Sequence, residues 1–393
     1  MAGAALVVLV IVSALKGSDL LTKQSEWDRI ASPYSFNIAR WEFENLFDKW
    51  KYKVQEVFHP SELSQAESVQ LVRDYLSLAQ EITSLSAKGP GSEKEEAQLA
   101  ALKTERDRLE DQVEETIEAQ ISGVLADEGL STTLKLGGEV ELLFPPVDFE
   151  FEERPNVLMV SARHKIELVD TVLLKPGMSL EQMAEIEEAV EGRDYSGLVE
   201  PLGGVATYPS IIPQMPLLQD LLSGIAHEWL HHYFFFRPLG QKYWSNYEMT
   251  TINETAANIA GNEIGLMVYE RYYGGEEEAA PAAEEQEPAF DFGGEMREIR
   301  LTVDQYLARG EIEEAERYME EKRKFLEANG YYIRKLNQAY FAFHGTYADT
   351  PTSVSPIGDQ LRKLRERSSA LGDFIGTVSG VSSYQELLEM VGE

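Results

Sequence analysis

Between Leu217 and Phe236 the chain reads LLQDLLSGIAHEWLHHYFFF, a stretch apolar nearly all round that still holds three of the six histidines. Its apolar positions Leu217, Leu218, Leu221, Leu222, Ile225, Trp229 and Phe236 step by three and four. That spacing predicts a helix over 217–236, ended by Pro238. A helix that is apolar on every side has to be buried, so this one constrains the middle of whatever the chain folds into. Two histidines and a glutamate buried without partners would be strongly unfavourable. Something has to satisfy them.

His227 and His231 lie four residues apart and so stand one above the other on the same helix face. Two imidazoles in that arrangement can close on a single cation. Glu228 is rotated from His227 by about 100°, out of reach as a ligand but able to meet a water held on the cation. His-Glu-x-x-His on a helix therefore supplies two zinc ligands and a general base. His232 points elsewhere and reads as a packed or capping residue. Gly224, one turn before His227, would leave room above the site. Cysteine is absent, so any metal must be held by histidine and carboxylate. A zinc that keeps one position open for chemistry takes three protein ligands. The third is sought in NETAANIAGNEIG at 253–265. Glu254 begins a helix whose small residues Ala257, Gly261 and Gly265 share its face, permitting close approach to the histidine helix. Asn258, four residues on, is placed to hold a ligand histidine by a second hydrogen bond. The competing reading is a helix pair with incidental histidines and a stripe that serves packing alone.

The rest of the chain frames that pair. Its 393 residues suffice for one large or two ordinary domains. A net charge of −33 without any basic patch argues against nucleic acid as a partner, because phosphate recognition needs clustered Lys and Arg. Residues 1–17 contain an uncharged apolar run, Ala2 to Leu15, of 14 residues. A membrane crossing needs about 20, so the run reads as a short anchor or signal-like helix, with a buried core helix as the bland alternative. Residues 18–58 carry aromatics at helical spacing, expected as amphipathic helices beside the bilayer or docked on the main domain. Residues 59–127 predict an antiparallel helical hairpin with a coiled-coil seam, its apolar steps at Val69, Val72, Leu76 and Ala79 and at Leu102, Leu109, Val113, Ile117 and Ile121. Such an arm could serve a partner, although its charges suit a solvated face. From 128 to 393 a single domain is expected. Short β-branched runs at 132–136, 140–144, 157–161 and 171–174 read as strands, followed by a helix at 179–191 and an extended stretch, GGVATYP, at 203–209. Beyond 214 the pattern is helical except for an acidic, Pro- and Ala-rich insert at 274–294, expected to be disordered. Strands first and helices after predict an α+β plan, a small sheet plus a mostly helical C-terminal half.

HEWLH followed by NETAAN resembles the gluzincin metallopeptidases. The resemblance implies a zincin-like domain, zinc as cofactor, His227, His231 and Glu254 as its ligands, and Glu228 as general base toward a peptide or protein substrate. Asn258 falls where thermolysin-like enzymes carry aspartate. Twenty-two residues separate His231 from Glu254, slightly more than in that group. The Gly-x-Met-Glu-Asn signature of the best-known gluzincin aminopeptidases is missing. The segment YYIRKLNQAYFAFHGTYAD at 331–349 resembles a bacterial family of membrane-associated, aminopeptidase-like proteins that also carry an HExxH helix. A peptidase of this kind needs a donor for the oxyanion; Tyr347 and His344 are the first candidates, with Tyr340 and Arg334 behind them. The stretch at 203–209 is expected to be a sheet edge along which a peptide adds as a strand. Two other readings fit the same residues, a zinc-binding but inactive membrane-tethered scaffold and a zinc hydrolase of non-peptide substrates.

Overall fold

In the computed structural model, which describes residues 25–38, 40–41, 63–87, 89, 91–135, 139–274 and 290–393, and no side chains between 132 and 142, the chain folds as α+β with helix predominating. The expected helix over 1–17 and most of the 18–58 segment lie outside the described residues. Among the described residues no helix is long and apolar enough to cross a membrane. What is described of the 18–58 segment docks on the main body: helix α1 (Glu26–Ala31) buries Trp27 and Ala31 against the sheet described below.

Helices α2 (Gln65–Ser86) and α3 (Glu93–Asp127) form the antiparallel hairpin. Each begins with a capping box, Ser64 with Glu67 and Ser92 with Glu95, which satisfies backbone N–H groups that have no partner within the helix. The hairpin is not a free arm. Val72, Tyr75, Val113, Ile117 and Ile121 are fully buried and belong to the same core as the histidine helix. Two buried acids on α3 explain how a charged helix can dock there. Glu114 accepts from the Phe151 N–H at 2.7 Å and Glu118 from the Phe149 N–H at 3.1 Å, covering the outer edge of strand β3 (Phe149–Phe151). Before it in sequence, β1 (Ser131–Lys135) and β2 (Glu139–Leu143) pair as an antiparallel hairpin.

The main sheet has strand order β5–β4–β6, with β4 (Asn156–Ala162) between β5 (Leu168–Leu174) and β6 (Tyr195–Pro201), antiparallel to both. Every residue of β4 is buried, as its continuous apolar run requires of a strand covered on two faces. Leu158 and Val160 face helix α4 (Leu180–Glu191), with α1 beside it. Val157 and Met159 face the other way, toward Ala339 of a later helix. Strand β7 (Ser210–Ile212) then pairs in parallel with β3. The four strand expectations fall on β1, β2, β4 and β5; β3, β6 and β7 add to them.

Helix α5 (Leu218–Phe235) carries the histidines, and after the single turn α6 (Pro238–Gln241) the chain enters α7 (Tyr247–Tyr272). Leu221, Leu222, Ile225, Ala226, Trp229 and Leu230 of α5 interlock with Met249, Ile252, Ala256, Ala257, Ala260 and Ile264 of α7 in the largest core cluster. The remaining helices are α8 (Phe292–Ala308), α9 (Ile312–Ala328), α10 (Gln338–His344), α11 (Ile357–Arg367), α12 (Leu371–Ser379) and α13 (Tyr384–Val391). Ala339 of α10 packs on the main sheet. Buried residues of α11, α12 and α13 join the α5–α7 core. Residues 275–289 of the expected insert lie outside the described residues; its expected end at 294 is corrected, because Asp291 caps α8 and Phe292 to Gly294 are the first turn of that helix.

Candidate metal centre

The site forms where α5 and α7 come closest, and glycine makes the approach. A Cβ on Gly261 would stand 3.0 Å from the His227 backbone nitrogen, and one on Gly265 2.6 Å from that of Ser223. With Ala257 fully buried on the same stripe, Glu254 is drawn onto the two imidazoles. His227 Nε2 and His231 Nε2 are 3.0 Å apart, and Glu254 Oε2 lies 3.6 Å from the first and 3.5 Å from the second. Ligand atoms held about 2.0–2.1 Å from a zinc at tetrahedral angles stand about 3.3 Å apart. The three donors therefore span one face of such a tetrahedron, and His227, His231 and Glu254 form a group that can hold a metal ion.

Two of the three donors are oriented from behind. His231 Nδ1–H donates to Asn253 Oδ1 at 2.8 Å, which directs Nε2 at the site. Tyr243, in the turn before α7, donates its hydroxyl to Glu254 Oε1 and leaves Oε2 directed at the histidines. That turn is itself fixed, because Thr250 Oγ1 donates to the Tyr243 carbonyl at 2.7 Å. The electrostatics favour a cation. Burial pushes the Glu254 carboxyl up, but His231 and His227 hold it well below the usual carboxylate range. Burial pushes His231 down, yet the Glu254 carboxylate more than offsets this and its pKa rises to about 9. The His227 and His231 side chains keep 14 % and 16 % of their surface exposed, so the open side of the site faces solvent.

Glu228 is buried next to this group, and its pKa is raised by burial and by Glu254 against the pull of both histidines. The GGVATYP stretch explains the confinement. A Cβ on Gly204 would lie 2.6 Å from Glu228 Oε1, so the backbone there rests directly on this carboxylate. The sheet edge expected at 203–209 is not a strand: Val205 alone pairs, in an isolated antiparallel bridge that commits its N–H and carbonyl to Ile211, while Gly203, Tyr208 and Pro209 are bends. Gly224 does not open space above the histidines; Met215 packs on it, its methyl 3.1 Å from where a Cβ would be. His232 is buried against Tyr208, ring centroids 5.5 Å apart, a packed residue as its position on the helix implied.

The sequence candidates outside the ligand set divide. Tyr347 lies at the site, its ring 6.2 Å from that of His227. Thr255, next to Glu254, pins its loop by accepting from the Ala348 N–H at 2.9 Å and donating to the Thr346 carbonyl at 3.3 Å. Burial and the Glu254 and Glu228 carboxylates raise the Tyr347 pKa well above the tyrosine range, so its phenol stays a donor. His344 is engaged elsewhere: it bonds Glu200 of β6 at 2.9 Å and packs on Tyr340, ring centroids 4.2 Å apart. Arg334 is committed to Glu187 and the Val199 carbonyl. Asn258 is not the residue behind a ligand histidine. It donates to Asp349 Oδ2 at 2.6 Å. Asn253, adjacent to Glu254, has the role expected of Asn258. The sequence carried no signal that singles it out, because adjacent residues on a helix are rotated by about 100° from each other. Nor did it carry one for Tyr243, whose reach depends on how the turn folds.

Comparison with protein-family models, with curated proteins and with solved structures finds no match to this chain.

Proposed function

We propose that this protein is a zinc-dependent peptidase of the zincin type, with His227, His231 and Glu254 as ligands and Glu228 as general base. The observation that carries the reading is the convergence of three donor atoms at 3.0, 3.5 and 3.6 Å, with Asn253 and Tyr243 orienting two of them. A zinc ion bound there would supply Lewis acidity toward a carbonyl and bring the pKa of a water molecule to about 7. Glu228, its proton affinity raised by burial, is suited to take the attacking water's proton and hand it to the departing amine. Tyr347 offers a phenolic hydrogen bond to the oxygen that gains charge.

Metal analysis of the purified protein and turnover of a peptide library test this directly. Zinc should be present and removable by chelator. Glu228→Gln should keep the zinc and lose about 10²- to 10⁴-fold in kcat. Protein without a bound divalent metal would end the reading. A Glu228→Gln variant as active as wild type would leave a metal site without this mechanism, and zinc without turnover of any peptide would favour a scaffold or another substrate.

A further inference from the structure

Resting on the peptidase reading, we infer that Trp244 is the substrate-binding platform of this site and that the protein selects peptides with a large apolar or aromatic side chain near the scissile bond. Trp244 is 74 % exposed, the most exposed large hydrophobic side chain among the described residues. An indole has much apolar surface to gain by burial, so leaving it in water is unfavourable. Looseness of the backbone does not account for that exposure. The turn at 242–245 is closed by Ser245 N–H to the Lys242 carbonyl at 2.9 Å and by Ser245 Oγ to the same carbonyl at 2.7 Å. Thr250 holds the Tyr243 carbonyl, and Asn246 caps the helix that follows.

Position gives the exposed ring its meaning. The Tyr243 and Trp244 rings meet edge to face at 4.5 Å. Tyr243 in turn bonds Glu254 and lies 6.2 Å from the His231 ring. The exposed indole is therefore one ring removed from the metal ligands, on a support that the same tyrosine ties to them. These two ring contacts keep the indole within about 11 Å of the His231 ring, a distance that about three residues of extended peptide span. Apolar and aromatic side chains gain most from the indole surface, by area and by ring geometry.

The test separates the failure of this inference from that of the peptidase reading. Wild type, Trp244→Ala and Trp244→Phe are compared on peptides in which one position near the cleavable bond is Ala, Ser, Glu, Leu, Phe or Trp. Binding of the same peptides to Glu228→Gln protein, with and without Trp244→Ala, is measured by calorimetry. Zinc content and melting temperature should match wild type in both Trp244 variants, since the side chain packs little. Trp244→Ala should lose about tenfold in kcat/KM on the Phe, Trp and Leu peptides, through KM, and little on the Ala and Ser peptides; Trp244→Phe should retain most of the preference. A preference that survives Trp244→Ala, or a loss equal across all side chains, overturns the inference while leaving the peptidase. No turnover and no binding of any peptide removes the peptidase reading and this inference together. Binding to phosphatidylcholine–phosphatidylglycerol vesicles that Trp244→Ala abolishes, with peptide selectivity unchanged, would assign the indole to a lipid surface and overturn it too.

Discussion

His231 and His232 are neighbours with opposite fates. A rotation of about 100° separates them on the helix, and that rotation decides which ring meets Glu254 and which meets Tyr208. His231 holds a proton readily, with a pKa near 9, because a carboxylate faces it despite burial. His232 is buried, and although the backbone at 206–207 and the Asp148 carboxylate offset part of that, its pKa falls from 6.5 to about 4. Unfolded, His232 takes a proton near 6.5; folded, only near 4. The folded state therefore has its full advantage from this group above pH 6.5 and loses it as pH falls toward 4. In the presence of chelator, the urea midpoint of wild type should drop across that window by more than that of His232→Phe, a difference worth about 2–3 kcal/mol. Parallel profiles for the two proteins would refute it. The residues behind the ligands make a second prediction. Asn253→Ala and Tyr243→Phe should each weaken zinc binding about 10- to 100-fold in a competition titration, while fold and melting temperature change little. Unchanged affinity in both would mean that they do not orient the donors.

At the scale of elements, the decisive contact is that between α5 and α7. The stripe of Ala257, Gly261 and Gly265 was legible in the sequence because residues that share a helix face recur every three or four positions. The separation it permits was not, since it depends on what stands opposite. Backbone of α5 at Ser223 and His227 occupies the room a side chain would need. Gly265→Ala should therefore push the helices apart, destabilise the protein by about 1–3 kcal/mol in urea titration, and weaken zinc binding by moving Glu254. Wild-type stability and affinity in that variant would show that the pair has slack. The clamp on Glu228 lay beyond any local pattern. Gly204 is 24 positions upstream of it, and no periodicity links a loop glycine to a helix it rests on.

For the molecule as a whole, the hairpin proves to be part of the core. Its seam was readable from the spacing of Val113, Ile117 and Ile121, but that same row also packs on the histidine helix. Glu114 and Glu118, two acids that look solvent-facing in the sequence, close the edge of β3. Residues 128–393 expressed without 63–127 would expose Phe149, Phe151 and part of α5, and leave two strand N–H groups without partners. That fragment should lack a cooperative urea transition. A fragment that unfolds cooperatively near the wild-type midpoint and still binds zinc would make the hairpin an appendage.

The sequence by itself determined the helices, most of the strands and the two motif-bearing segments, because helical and strand periods and the spacing of two histidines are local properties. It also supplied the third donor, through a stripe of small residues that places a carboxylate on a packing face. Only the tertiary structure decided which groups stand behind those donors. Asn253, Tyr243, Tyr347 and Gly204 come from four separate segments and meet at one point, while His344 and Asn258 turn to Glu200 and Asp349 instead. Hydrogen-bond partners between distant segments depend on distances and angles that arise only when the elements pack, and a one-dimensional pattern does not encode them.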